Sequence, residues 1–270
     1  MKILKRIYIL LLSAVLICGG SGCELNNSEI VKEEQAAHDE WLRWRKEFLA
    51  EQELPTEYSE LSSRQQTAVK RIYEMLMYLE DKYGITFKYT GYVEPQILEI
   101  EHLTAIPEGG NEKTDTVTVT CEDDGTFTDD YPNVVVRPYY EQMITDYVKD
   151  YFGSDKVRVF STVTETTIDD FNNISEEKMK GNIYSKNIIF ININLGTKES
   201  IKKFAENYCL WLKENDISCD SQIMLLYNPN ISLINRENYS DYFGKEHIEL
   251  RLICYVEKNG EIQISEREVR

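Results

Sequence analysis

Histidine is scarce in this chain. The 270 residues hold three, His38, His102 and His247, far apart in sequence. None stands in an HExxH frame, which excludes the helical zinc-peptidase motif. There is no GxSxG nucleophile elbow, no P-loop and no dinucleotide glycine fingerprint. No CxxC pair occurs, which removes the usual frame of a structural zinc site. Positive charge is short as well: 30 Lys and Arg against 47 Asp and Glu leave a formal net charge of −17. A surface of that sign repels nucleic acid and anionic lipid headgroups, so nucleic acid is excluded as a partner. The missing motifs make an enzyme the less favoured reading, and no cofactor is expected.

What is present begins with the first residues, MKILKRIYILLLSAVLICGGSGCELNN. Lys2, Lys5 and Arg6 precede an apolar run from Ile7 to Cys18. That run has the length of a signal-peptide core and is short of the roughly 20 residues of a spanning helix. Small residues follow, then Cys23, and then a polar, acidic stretch. Gly20-Ser21-Gly22-Cys23 resembles the lipobox of bacterial lipoproteins, with Gly20 where that family prefers Leu. The resemblance implies that 1–22 is a lipoprotein signal peptide, removed on maturation, and that the Cys23 thiol carries the lipid. Cys18, behind bulky Leu16 and Ile17, fits the pattern poorly. The alternative is an ordinary secretory signal with an incidental cysteine. Two acyl chains hold a protein stably at a bilayer where one does so only marginally. Without the signal's three cationic side chains the formal charge falls from −17 to −20.

Four cysteines remain in the body of the chain. Val117, Val119 and Cys121 share one face of an alternating strand, as do Leu250, Leu252, Cys254 and Val256, so Cys121 and Cys254 are expected as buried, free thiols. Cys209 and Cys219 flank a helix end and a strand start and are the candidate disulfide pair.

Periodicity gives the elements. A long charged helix spans 29–53, with Ile30, Ala37, Trp41, Trp44 and Phe48 in one stripe; that stripe either docks on its own domain or rests at a bilayer. A second helix, 62–83, is announced by a Ser62/Gln65 capping box and closed by Gly84. Strands follow at 85–93 and 114–121, with Asp124-Gly125 as a hairpin turn. Pro138 reads as the start of the next helix, whose buried side is Tyr140, Met143, Ile144, Tyr147 and Tyr151, with Gly153 as its stop. Further on come strand 156–165, strand 187–196, a helix 200–214 capped by Thr197, strand 222–228, and a terminal hairpin turning at Asn259-Gly260.

Helices with hairpin-like groups of strands predict an α+β fold, helices packed on mainly antiparallel sheets behind an N-terminal charged helix. The expected division is a tether and charged helix at 23–55, a first α+β unit at 56–168, an exposed connection at 169–186, and a second unit at 187–270. The competing arrangement has Ile174 and Met179 in a short helix across one continuous core. From Ser62 to Gly153, the order of helix, KYG turn, strands, acidic hairpin and helix resembles uncharacterised surface lipoproteins of Gram-positive bacteria. It is more loosely similar to PepSY-type extracytoplasmic modules.

The acidic hairpin is the strongest metal candidate. Glu122, Asp124, Asp129 and Asp130 are clustered carboxylates of the kind that bind Ca²⁺ when their oxygens converge. The EF-hand spacing fails, with Thr120 at the first ligand position and Tyr131 at the position of the closing Glu. A solvated turn without metal is the expectation. Together these readings point to a lipoprotein on the outer face of the bacterial cytoplasmic membrane. It is tethered to membrane lipid through its N-terminus and has a binding or accessory role toward a protein or small molecule. The alternative is a lipid-anchored surface hydrolase with a dispersed active site.

Overall fold

The computed structural model describes residues 27–227 and 231–268. Cys23 and the segment 1–22 lie outside the described residues. The chain is α+β, with two separate sheets, and divides into two compact units.

The first unit takes the described residues through Glu112 together with Thr116–Asp129. It contains helix α1 (Asn27–Glu51), helix α2 (Ser63–Tyr83) and strands β1 (Phe87–Val93), β2 (His102–Pro107), β3 (Val117–Cys121) and β4 (Phe127–Asp129). The strands form an antiparallel meander in chain order. Helix α2 starts where the capping box demands. Ser62 Oγ accepts from the Gln65 amide at 3.3 Å, and Gln65 Oε1 accepts from the Ser62 amide at 2.9 Å. It ends at Gly84, whose φ of 70° is left-handed. Its buried face is Val69, Ile72, Met75, Leu76 and Leu79. Burial of such side chains is worth about 2 kcal/mol each. The tryptophan stripe of α1 docks within this unit: Trp41 and Trp44 each lie 4.9 Å from the Tyr73 ring, and Phe48 lies 5.2 Å from Tyr89. So the helix expected as part of a separate tether belongs to the first packed body.

The second unit comprises Lys113–Asp115 and the residues from Asp130 onward. It contains α3 (Tyr131–Phe152), β5 (Val157–Thr166), α4 (Glu176–Met179), β6 (Ile183–Asn192), α5 (Lys198–Glu214), β7 (Ser218–Leu226), β8 (Ile248–Val256) and β9 (Ile262–Glu266). The five strands lie in chain order, antiparallel except for β6 and β7. That parallel pair needs a crossover, and α5 supplies it. One sheet face packs on α3 and α5 through Val159, Ile189, Ile223, Leu252, Ile144 and Phe204. On the other, Phe160, Phe190 and Met224 are covered by Ile231 and Ile234, with Tyr239, Tyr242 and Phe243 alongside. A fully buried polar cluster sits under the helices. Asn187 Nδ2 donates to Tyr140 Oη and Tyr208 Oη, each at 3.0 Å, and Ser161 Oγ donates to Asn187 Oδ1 at 2.7 Å.

Three expectations are corrected here. The boundary is not at 169–186, because β5 and β6, on either side of that stretch, pair directly from Val157↔Ile191 to Thr166↔Ile183. The stretch carries α4, whose Met179 enters the core of the second unit, while Ile174, placed in the same helix by the competing arrangement, lies before it and is partly buried against that core. Helix α3 begins at Tyr131 rather than Pro138. Pro132 takes the early helical position where a missing N–H costs nothing, and Pro138 falls inside the helix. Strand β6 stops at Asn192, whose side chain accepts from the Asn194 amide at 2.9 Å and turns Ile193–Leu195 into a 3₁₀ turn.

Candidate functional site

The connection between β1 and β2 reads Glu94-Pro95-Gln96-Ile97-Leu98-Glu99-Ile100. Pro95 has no amide hydrogen and cannot extend β1. Two residues later the backbone closes on itself. The Gln96 amide donates to Glu99 O at 2.9 Å and the Glu99 amide to Gln96 O at 3.3 Å. Ile97 and Leu98 are therefore the two residues of a tight turn, positions that ordinarily carry Asn, Asp or Gly. Ile97 is 101% exposed, Leu98 95% and Ile100 68%. Single exposed apolar residues are normal, whereas a contiguous apolar tip marks an interaction surface.

The foot of this tip is braced. Arg64 Nε meets Glu94 Oε2 at 2.5 Å. Arg71 Nε and Nη2 meet the two oxygens of Glu101 at 2.8 Å each, a bidentate fork. Tyr92 Oη donates to Glu101 Oε1 at 2.6 Å, and Arg71 Nη1 reaches Glu74 at 2.8 Å. The Arg71 hydrogen bond holds the Glu101 carboxyl below the usual range, outweighing burial, with Tyr92 adding to it. Arg71 also lies 5.1 Å over the Phe127 ring. The same α2 surface carries a shallow polar depression lined by Tyr58, Gln66, Lys70, Arg71 and Glu74. The exposed apolar tip and this depression lie on the same compact unit.

The residues singled out from sequence fare differently. Glu122 accepts from Thr128 Oγ1 at 2.7 Å, and Asp124 from the Thr126 amide at 2.9 Å and its hydroxyl at 2.6 Å. Asp129 turns inward, its side chain 0% exposed, and accepts from Tyr83 at 2.7 Å, Tyr78 at 2.8 Å and Lys82 at 2.6 Å. Asp130 precedes the first turn of α3. Glu122 and Asp124 take donors within the hairpin and Asp129 takes donors from α2, so these carboxylates do not converge on one point. Among the described residues, no three His, Cys, Asp or Glu side chains come together as metal ligands.

Cys121 is half-buried rather than buried. Its sulfur accepts from Arg71 Nη2 at 3.1 Å, at the same brace, and burial raises its pKa, the reverse of an activated nucleophile. Cys209 and Cys219 are both free thiols, without the expected bridge. Cys219 points to Ser221 Oγ at 3.1 Å, and Cys209 and Cys254 are buried in the same apolar cluster. Of two adjacent tyrosines on α3, Tyr140 is fully buried and Tyr139 is 50% exposed.

Sequence reading passed over the apolar tip. Its signal was Ile97-Leu98 and Ile100 set among Glu94, Pro95, Gln96, Glu99 and Glu101, a stretch too polar to be core and too apolar to be an ordinary turn.

No family model matches the chain, and no curated protein matches it. Among solved structures, the chain is similar to a DUF5037 family protein from Ruminococcus gnavus, at 11% identity, TM-score 0.30, covering 58% of this chain and 75% of that one. Among the described residues, no helix is long and apolar enough to cross a membrane.

Proposed function

We propose that the chain is a membrane-tethered extracytoplasmic lipoprotein that binds a protein partner through the Ile97–Leu98 tip. The observation that carries the binding role is the braced tip, with its two leading residues 101% and 95% exposed. The tether rests on Gly20-Ser21-Gly22-Cys23 behind the short apolar run.

Magnitudes tie the two parts together. Burying three aliphatic side chains in a pocket yields roughly 5–6 kcal/mol. Association in free solution costs about 4–15 kcal/mol, so the tip alone gives weak binding. Confinement to one membrane raises the effective concentration and makes a weak contact productive. The overall charge of −17 disfavours an anionic lipid surface as the occupant; beside the tip, Glu94 and Glu101 are paired with Arg64 and Arg71. It favours an apolar pocket on a protein.

Native-gel sizing of gently solubilised membranes tests the reading. The wild type is expected in a complex larger than the lone chain. The double variant Ile97→Asp/Leu98→Asp is expected at the size of the lone chain, still folded and still membrane-bound. An unchanged complex in that variant contradicts docking through the tip.

A further inference from the structure

The sheet of the second unit has two edges, β5 and β9, and the chain treats them differently. The outer edge of β5 is occupied by side chains. The Ser161 amide donates to Glu141 Oε2 at 2.6 Å, and Ser161 O accepts from Arg236 Nη2 at 3.1 Å. Val157 O accepts from Arg158 Nη1 at 2.8 Å, and Thr164 O from Asn133 Nδ2 at 3.2 Å. A bulge between Val163 and Glu165 breaks the strand further. Bulges and covered backbone groups are the usual protections of a sheet edge. Strand β9 has neither. Its register with β8 runs without a shift from Val256↔Ile262 to Leu252↔Glu266, and it contains no proline. The Glu257 amide donates to Glu261 O and the Arg267 amide to Arg251 O, each at 3.0 Å. Glu261 and Arg267 therefore turn their backbone groups toward β8. By the alternation of an antiparallel ladder, Ile262, Ile264 and Glu266 turn theirs away from it. Among the described residues no strand pairs with that outer edge.

We propose that β9 is a self-association edge, on which a second copy of this chain pairs its own β9 antiparallel about a two-fold axis at Ile264, joining the two sheets into one. The strand is complementary to itself in that register. Ile264 faces Ile264 of the other copy, and Ile262 faces Glu266. Each facing pair exchanges two backbone hydrogen bonds, using the groups that β8 leaves unused. Of the antiparallel registers open to these groups, only the one centred on Ile264 engages all three residues within β9. It also sets Glu261 opposite Arg267 on both sides of the axis, in the closer, non-hydrogen-bonded kind of pair. Both residues are exposed, and opposite charges facing each other across strands are stabilising. On the face toward α5, Ile264 is 37% exposed in the single chain, and Glu266 is held by Lys202 at 2.8 Å. Pairing covers the first with its own copy and leaves the second in place. A two-fold contact of this kind closes on itself and stops at two copies.

The edge is short, at five residues, and buries well under the about 1,200 Å² at which stable interfaces begin. The like charge of the two copies also opposes them. The pair therefore forms at high concentration and separates at the dilution of a native gel. Sedimentation of the full chain in density-matched detergent, over a rising concentration series, tests it. The wild type is expected to pass from one chain to two, with nothing larger. Glu261→Arg and Arg267→Glu each set like charges opposite one another across the seam and are each expected to weaken the association about tenfold. The double exchange restores opposite charges and is expected to restore the association. Mild oxidation reads the register: Ile264→Cys places its two copies about 5.5 Å apart at Cα, within disulfide reach, and is expected to form a covalent dimer above the wild-type background. Gln263→Cys lies two residues off its own copy, about 7–8 Å away, and is expected to form none. A wild type that stays at one chain, charge variants that associate as the wild type does, a double exchange no tighter than the single variants, or equal cross-linking from positions 263 and 264 overturns the proposal.

Discussion

Arg71 on α2 grips Glu101, at the foot of β2, through two parallel hydrogen bonds of 2.8 Å. The pair joins the helix to the rising edge of the apolar tip. Removing the carboxylate with Glu101→Gln is expected to cost about 2 kcal/mol at pH 7, since a charge-assisted bond inside a partly buried site is lost. The folded Glu101 carboxyl titrates below its unfolded value, so the unfolded chain binds more protons near pH 4. Its contribution is thus fully present above the ordinary Glu value of about 4.3 and is lost as pH falls through the folded value. Urea midpoints of wild type and Glu101→Gln should converge as pH drops below 4. A gap that stays constant from pH 7 to pH 3 contradicts this role.

Asp129 was a metal candidate in the sequence and is a core anchor in the fold. Its carboxylate takes two tyrosine hydroxyls and the Lys82 ammonium with no exposed side-chain surface. Asp129→Ala strands those donors and is expected to destabilise the first unit by about 3 kcal/mol. Asp124→Ala, in the exposed turn, should change stability by less than about 1 kcal/mol. Equal effects of the two substitutions in denaturant melts contradict the assignment.

The buried polar cluster makes a parallel forecast for the second unit. Tyr140 Oη accepts from Ser185 Oγ at 2.7 Å and from Asn187 Nδ2 at 3.0 Å. Tyr140→Phe leaves both donors short of a partner in a dry core and should cost about 1–2 kcal/mol. Its neighbour Tyr139 is half-exposed, and Tyr139→Phe should be within about 0.5 kcal/mol of wild type. Thermal melts of the two variants decide this; a larger loss in Tyr139→Phe is the contrary result.

Local chemistry was legible in the sequence, and tertiary pairing was not. Ser62 with Gln65 and Thr197 each start a helix, and Gly84 and Gly153 each end one, where their residue type requires. The turns at Gly125 and Gly260, with φ of 83° and 78°, sit where Asp-Gly and Asn-Gly stand. These signals act within a few residues. The division of the chain does not. A polar stretch such as 169–186 looks like a linker because its composition says nothing of β5 and β6, which close over it by pairing across the gap. Cys254 was in phase with the core and is buried, but Cys209, in the same buried cluster, sits on a helix that periodicity cannot orient against a particular strand. The tip was missed because a hydrophobic pattern is normally read as burial, and here the residues point into water.

Anchoring has its own test. With small residues before Cys23 and polar residues after it, a fatty-acid probe fed to cells should label the wild type, and labelling should vanish in Cys23→Ala. Equal labelling of both contradicts lipidation at Cys23.

If the Ile97–Leu98 tip docks a partner, site-specific photo-crosslinking in intact cells captures that partner. A photoreactive residue is placed at position 97 or, as a control, at the exposed position Glu60. From position 97 one dominant protein adduct is expected, lost when Leu98→Asp is added although the variant folds as well as wild type. From position 60 no such adduct is expected. Identical adduct patterns from the two positions, or an adduct from position 97 that survives Leu98→Asp, would contradict the claim.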